Sequence, residues 1–200
     1  MVNAGPDKPS WRWRLRQDRA ALSARQRERV EQTTATLIAD YLRSTALPLA
    51  GYMACGGELR LDPVLADCWR RGAAVWLPRV ITDGSLAWHP VVDPLQLRRG
   101  AYRIREPDPR LVAEAPLPTA CLLVVPGLGF GRDGGRLGQG GGYYDRLLAS
   151  APTGLISLGV GFACQLVDDL PLADHDRRVS ALIIDGQWLI RPDVPTNSTD

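Results

Sequence analysis

Nine of the sixteen residues from Gly127 to Gly142 are glycine, and the run closes on Arg-Leu-Gly-Gln-Gly-Gly-Gly-Tyr-Tyr-Asp-Arg at 136–146. Each glycine loses roughly 0.5–1 kcal/mol of extra backbone entropy on ordering, so nine in one ordered stretch need a reason. A flexible linker would be rich in serine and would not end in Tyr-Tyr-Asp-Arg. A loop that brings successive backbone N–H groups close to an anion does need glycine, because a Cβ blocks the approach and some positions require positive φ. The apolar run Cys121 to Val125 just before it reads as a buried strand. Tyr143, Tyr144, Leu147 and Leu148 just after it have the spacing of a helix face. Strand, glycine loop and helix N-terminus form the arrangement that holds phosphate.

Two familiar glycine motifs fail here. Gly129-Phe-Gly-Arg-Asp-Gly134 spells G-x-G-x-x-G, but the glycines continue where a helix should begin, and no carboxylate stands near Gly154, where a ribose ligand belongs. A Walker A loop requires lysine beside its last glycine, and the chain has no lysine after Lys8. Neither a dinucleotide fold nor a P-loop is expected.

Composition sets the remaining bounds. Two hundred residues suffice for one domain with a sizeable core. A charge of +2 is too small to imply a nucleic-acid partner. Cys55, Cys68, Cys121 and Cys164 form no C-x-x-C pair, so buried free thiols are expected rather than a zinc site. No apolar run reaches the ~18 residues of a membrane span, and the arginine-rich start has no signal-peptide core. A cytoplasmic protein is expected.

Residues 1–9 and 192–200 read as frayed ends around a single domain at 10–191. A short basic helix is predicted over 11–22. Ser23-Ala-Arg-Gln26 is a capping box opening a helix with Val30, Leu37, Ile38, Tyr41 and Leu42 on its apolar face. Strands are predicted at 48–54, 73–77, 86–89, 121–125, 155–160 and 181–184, with a helix from Asp62-Pro63 stopped by Gly72. Strands alternating with helices predict a three-layer, Rossmann-like α/β domain with a mostly parallel central sheet. Ligands of such sheets bind beyond the carboxyl ends of the strands, where the glycine loop, the Met53–Glu58 turn and the segment after Val160 would converge.

The glycine signature, with Pro-Gly-Leu-Gly-Phe at 126–130 ahead of it, resembles that of the 5-formyltetrahydrofolate cyclo-ligase (methenyltetrahydrofolate synthetase) family. Shorter matching pieces follow in order: Gly51-Tyr-Met-Ala-Cys-Gly-Gly-Glu58, Leu77-Pro-Arg79, Ile104-Arg-Glu-Pro107, Gln165, Leu170-Pro171 and His175-Asp176. The resemblance runs from about Lys8 to Gly186. It implies a ligase of one-carbon metabolism that uses ATP and Mg²⁺ to close 5-formyltetrahydrofolate to 5,10-methenyltetrahydrofolate, releasing ADP and phosphate. It also implies roles by position. Lys8 and Arg12, four apart on one helix face if the helix reaches them, match nucleotide contacts; Pro9 allows this only as a first-turn residue. Arg136, Leu137, Gly138, Gln139, Gly140, Gly141, Gly142, Tyr143 and Tyr144 match the ATP loop, with Gln139 to Tyr143 also on the folate side. Met53, Glu58 and Tyr102 match folate contacts. Asp145 and Asp176 match metal ligands, and Arg136 and Asp145 are the expected catalytic pair, Arg136 gripping phosphate with its planar fork. Each has a plainer explanation: a solvated basic helix for Lys8 and Arg12, a first-turn carboxylate for Asp145, an acidic turn for Asp176, a solvated turn for Glu58, core packing for Tyr102. His89 reads as structural. The chain has Gly141 where many members carry lysine, and Gln139 where others are basic or aromatic.

A monomer acting on soluble substrates, without membrane or nucleic-acid partners, is the resulting expectation. The alternative is a cyclo-ligase-like nucleotide- or RNA-binding protein without activity, since Trp11-Arg-Trp-Arg-Leu-Arg16 interleaves aromatic and basic residues as single-strand binders do. A small-metabolite kinase would share the ATP site but gives Glu58 no role.

Overall fold

The computed structural model describes residues 7–81, 85–100 and 104–193. Five inner strands are parallel: β1 (Leu49–Ala50), β2 (Val75–Val80), β6 (Cys121–Val125), β9 (Leu155–Gly161) and β10 (Ala181–Ile184). Antiparallel β3 (Leu86–Val91) and β11 (Gln187–Ile190) close the two edges, giving the order β11-β10-β9-β6-β1-β2-β3. Two small hairpins stand apart, β4 (Leu97–Arg99) with β5 (Arg105–Pro107) and β7 (Gly129–Phe130) with β8 (Arg136–Leu137).

The period of two in the central strand sorts the core into two layers. Leu122 and Val124 face a cluster completed by α2 (Ala24–Thr45), through Val30, Ile38, Tyr41 and Leu42, and by α3 (Asp62–Arg70), through Val64, Leu65 and Cys68. Cys121, Leu123 and Val125 face the opposite cluster, covered by Phe130, Val179 and the half-buried Tyr144, Leu147 and Leu148 of α4 (Tyr143–Ala149). A sheet with helices on both faces is the predicted three-layer fold. The Ser23–Gln26 capping box forms as read. Leu37 is only half buried, at the margin of the α2 stripe.

Strand β1 is shorter than the predicted run at 48–54. Gly51 and Tyr52 remain buried, and Tyr52 donates its hydroxyl to the Leu59 carbonyl, which bends the chain into the 53–58 turn. The N-terminal helix α1 spans Lys8–Ala20, beginning before the predicted 11–22 because Asp7 caps it by accepting from the Ser10 amide, which puts Pro9 in the first turn. Leu15 and Trp11 seat this helix on Leu128 and Leu137 of the glycine hairpin.

Between β1 and β6 the strand order reverses: β2 and β3 lie on one side, β9, β10 and β11 on the other. The loops leaving the carboxyl ends of these two strands, 51–58 and 126–142, border one crevice, the position at which open α/β sheets bind ligands. Among the described residues no helix is long and apolar enough to cross a membrane.

Candidate active site

The glycine run does two jobs rather than one. Its first part forms the β7–β8 hairpin, where glycines permit close packing: a Cβ on Gly127 would stand 2.6 Å from the Phe130 ring, and one on Gly134 2.4 Å from the Val179 carbonyl oxygen. The buried Gln165 fixes the entrance to this hairpin, donating its amide to the carbonyls of Gly127 (2.8 Å) and Leu128 (3.1 Å). Only Gly138 to Gly142 form the open loop. There Gly140 and Gly142 have φ of 108° and 67°, a region closed to most side chains, and Gly142 caps α4.

Arginines mould the loop from both sides. Arg12 Nε donates to the Gly138 carbonyl (3.0 Å), Arg16 Nη2 to the Gln139 side-chain oxygen (2.8 Å), and Arg146 Nη1 to the Gly141 carbonyl (3.1 Å). Two loop carbonyls, of Gly138 and Gly141, are thus taken up by cations that line the same cavity. The Tyr143 ring fills the place where a Cβ on Gly141 would sit, 2.5 Å away.

Below the loop, Arg136 is 3% exposed. Its Nη2 donates to Asp145 Oδ1 at 2.8 Å, its Nη1 to the Pro126 carbonyl at 3.2 Å, and its guanidinium lies 5.8 Å from the Tyr144 ring centre. The fork expected to reach for phosphate is thus turned inward toward Asp145. The reason is steric and electrostatic: a β8 side chain under the loop has the α4 carboxylate as its nearest counter-charge. Asp145 Oδ1 also accepts the Arg177 amide at 3.2 Å. Asp176 Oδ2 accepts from Lys8 Nζ and from the Ala173 amide. Burial raises the Asp176 carboxyl, but Lys8 and the Ala173 amide outweigh it and hold the group below its ordinary range.

The Glu58 carboxylate closes its own turn by accepting the Cys55 amide (3.0 Å), while the Glu58 amide donates to the Cys55 carbonyl (2.9 Å). Burial pushes the Glu58 carboxyl up, against the Cys55 amide, Arg19 and Gln139, which favour its charged form. Burial, with Glu58 nearby, pushes the Cys55 thiol up to about 11 and raises the Tyr144 phenol, so both stay protonated at neutral pH.

These groups meet around one cavity of about 770 Å³, within the range of small-molecule sites. It is lined by Lys8, Arg12, Glu58, Arg136, every residue from Leu137 to Asp145, and Asp176. Pro126, Gly127, Arg146, Ala149, Ala173, His175 and Arg177 complete the wall; of these, Ala149, Ala173 and Arg177 were not singled out from sequence. Arg16 was also missed, although it continues the four-residue spacing of Lys8 and Arg12. Met53 is not brought to this cavity: it lines a separate one of about 370 Å³ with Cys55, Arg60 and Arg105, on the other flank of the 53–58 turn. Tyr102 lies outside the described residues. Trp11 packs against the hairpin, so one aromatic of the supposed single-strand-binding segment is used in packing. His89 is buried in β3, with Nδ1 2.9 Å from the Val112 carbonyl oxygen. The four cysteines are free thiols; Cys68 and Cys121 are buried, Cys55 and Cys164 only half buried.

No group of three or more histidine, cysteine or carboxylate side chains among the described residues forms a metal cage. Asp145 and Asp176, two hard oxygen donors on one cavity wall, instead fit a cation such as Mg²⁺ that takes one or two carboxylates and fills its shell with water and phosphate.

Comparison with known proteins agrees with this geometry. The family model described as the 5-formyltetrahydrofolate cyclo-ligase family matches residues 4–185. The 5-formyltetrahydrofolate cyclo-ligase of Escherichia coli K12 is 32% identical over 174 residues, covering 84% of this chain and 95% of that protein. The mouse enzyme of the same name is 25% identical over 193 residues, covering 91% and 95%. The solution structure of Aquifex aeolicus 5,10-methenyltetrahydrofolate synthetase superposes with a TM-score of 0.74 at 26% identity, covering 90% of this chain and 91% of that one. The chain belongs to the 5-formyltetrahydrofolate cyclo-ligase family.

Proposed function

From this family membership and the cavity that it accompanies, we propose that the protein is an ATP-dependent ligase, closing 5-formyltetrahydrofolate to 5,10-methenyltetrahydrofolate with release of ADP and phosphate, as a cytoplasmic monomer. The observation that carries the reading is the make-up of the cavity of about 770 Å³: arginines, a glycine loop, two aspartates and a buried glutamate line one space.

The chemical difficulty is that a formamide oxygen leaves poorly. Transfer of the γ-phosphoryl group to that oxygen makes it a phosphate leaving group; the substrate's second nitrogen then forms the new C–N bond as the C–O bond breaks. The protein has to position the two substrates and stabilise phosphoryl charge. Lys8, Arg12 and the amides of Gly138 to Gly142 bind the polyphosphate. Arg136 acts one step removed, holding Asp145 in orientation through the 2.8 Å bond. Asp145 and Asp176 would hold Mg²⁺, which would supply positive charge against that developing on the transferred phosphoryl group. For that, Lys8 leaves Asp176 and turns to the nucleotide. Glu58 accepts the adjacent N–H and amino donors of the pterin edge, while Tyr144 remains a neutral wall. The loop excludes water from the activated carbon.

The test is growth of the methenyl chromophore when the purified protein receives 5-formyltetrahydrofolate and Mg-ATP. Absorbance growth that depends on both substrates is expected. Its absence, with salt-sensitive binding of RNA oligomers instead, would replace this reading by the binding-protein one.

A further inference from the structure

Arg19, in the last turn of α1, is among the largest fully buried side chains, 2% exposed. No carboxylate among the described residues lies within ion-pair distance of it. Its Nη2 donates to the Gly56 carbonyl at 2.7 Å, and its Nη1 is buried without a partner. Arg27 of α2 lies beside it, donating Nη1 to the Gly57 carbonyl (3.0 Å) and Nη2 to the Arg19 carbonyl, with its guanidinium 5.3 Å from the Phe162 ring centre. Two guanidinium groups from two helices therefore grip consecutive carbonyls of one turn.

That turn forms readily without them. Gly56 and Gly57 adopt φ of 51° and 81°, which glycine does at no steric cost, and the paired Cys55–Glu58 hydrogen bonds close it. A buried guanidinium lacking an ion-pair partner and with one unsatisfied nitrogen is a costly way to hold two glycines. The charge is accounted for by what the turn carries. Glu58 is itself buried at its end, and the groups facing it are Arg19 from α1, Tyr52 and Cys55 from its own segment, Gln139 from the loop and Tyr144 from α4. Arg19 is the one cation in that set.

We infer that Arg19 is a positioning residue for the folate subsite, holding the Gly56–Gly57 turn so that Glu58 points into the cavity and supplying the positive field that keeps it ionised there. This rests on the reading of Glu58 as the partner of the pterin edge. Arg27 anchors Arg19 through its carbonyl; Arg19 acts on Glu58. The burial that raises the Glu58 carboxyl is what gives such a field its importance, because an undisturbed surface carboxylate would be ionised at neutral pH without help.

The experiment measures KM for 5-formyltetrahydrofolate and for ATP, and the pH dependence of the former, in wild type, Arg19→Met, Arg19→Lys and each combined with Glu58→Gln. Arg19→Met should raise the folate KM about tenfold or more, the scale of a lost charged hydrogen bond, with kcat and the ATP KM within about twofold. The pH below which folate KM deteriorates should move upward, because Glu58 loses the cation favouring its charged form. Arg19→Lys keeps the charge and loses the fork, so it should raise folate KM while leaving that pH midpoint in place. In the Glu58→Gln background neither substitution should add a further folate penalty. If Arg19→Met does not fold, the non-additivity of Arg19→Lys with Glu58→Gln carries the test. Equal effects on both substrates, an unmoved pH midpoint in Arg19→Met, or additive penalties would reduce Arg19 to a structural residue and overturn the inference. A wild type that forms no methenyl product would instead sink the functional reading.

Discussion

The Asp145 carboxylate has two claims on it. Its Oδ1 accepts from Nη2 of the buried Arg136 and from the Arg177 amide, and the proposed reaction asks it to hold Mg²⁺. The two roles separate in Asp145→Asn. The asparagine oxygen can still accept both hydrogen bonds, but Arg136 loses its counter-charge in a site where the arginine is 3% exposed. A stability loss of about 1–3 kcal/mol is expected, read as a lowered melting temperature. Turnover should fall much further, by roughly 100-fold, the scale of removing one electrostatic group from a transition state. Measured well below the melting temperature, part of that activity should return as Mg²⁺ is raised. Near-normal turnover at ordinary Mg²⁺ would rule out the metal role and leave Asp145 as the partner of Arg136. The pairing with Arg136 was not legible in sequence. The residues stand nine apart, on a strand and a helix whose relative placement depends on a hairpin of two-residue strands too short to leave a period-two pattern. That Glu58 lines the cavity was legible through the family resemblance, but its burial was not, because glycines on one side and Leu-Arg-Leu on the other suggest a solvated turn.

Among the elements, α1 lies across the mouth of the site, tied at three successive turns: Lys8 to Asp176, Arg12 to the Gly138 carbonyl and Arg16 to Gln139. The first tie is pH-dependent with a definite sign. The Asp176 carboxyl is held below its ordinary value, so its contribution is present above the unfolded carboxylate pKa and is lost as pH falls through the folded one. In the wild type, amide exchange in the first turns of α1 should quicken only below the ordinary carboxylate range, about pH 4. In Lys8→Met it should already be fast at neutral pH, with a raised ATP KM. Unchanged exchange in that variant would show that Leu15 and Trp11 dock the helix unaided. Elements with strong local signals were read closely from sequence. The Cys121–Val125 and Ala181–Ile184 strands fall where the apolar runs lie, and α2 starts at its capping box. Strand β11 was missed because Gln187 and Leu189 on its outer face are exposed and it borders the sheet. The 48–54 run was read too long because Tyr52 is buried by bending inward, and burial alone does not distinguish a strand from a bend.

At the scale of the whole molecule, the cavity joins the two ends of the chain: Lys8 and Arg12 from the first helix, Glu58 from the loop after β1, 136–146 from the centre and Asp176 from the segment before β10. The expected convergence beyond the carboxyl ends of the strands was readable because a parallel sheet permits little else. That Met53 turns to the opposite flank was not, since one residue of register in a turn exchanges its two sides. A ligand filling this cavity stitches together segments that are distant in the chain, and linkage converts that into stability: saturation at about 100 times Kd adds about 2.7 kcal/mol. For a chain of 200 residues, at about 2–4 °C per kcal/mol, Mg-ATP should raise the melting temperature by about 5–10 °C. On the proposed reading Asp145 and Asp176 set how that shift depends on the metal. Both carboxylates line the cavity, and without a cation they would repel the polyphosphate that Lys8 and Arg12 would attract, so ATP with a chelator should give a distinctly smaller shift at the same total nucleotide. RNA oligomers should give none, because nothing in their binding would draw the first helix, the glycine loop and the Asp176 segment together. Thermal melts with Mg-ATP, with ATP plus chelator and with RNA decide the matter. A nucleotide shift of the same size with and without Mg²⁺ would remove the metal from the site, and a shift with RNA alone would make the cavity incidental.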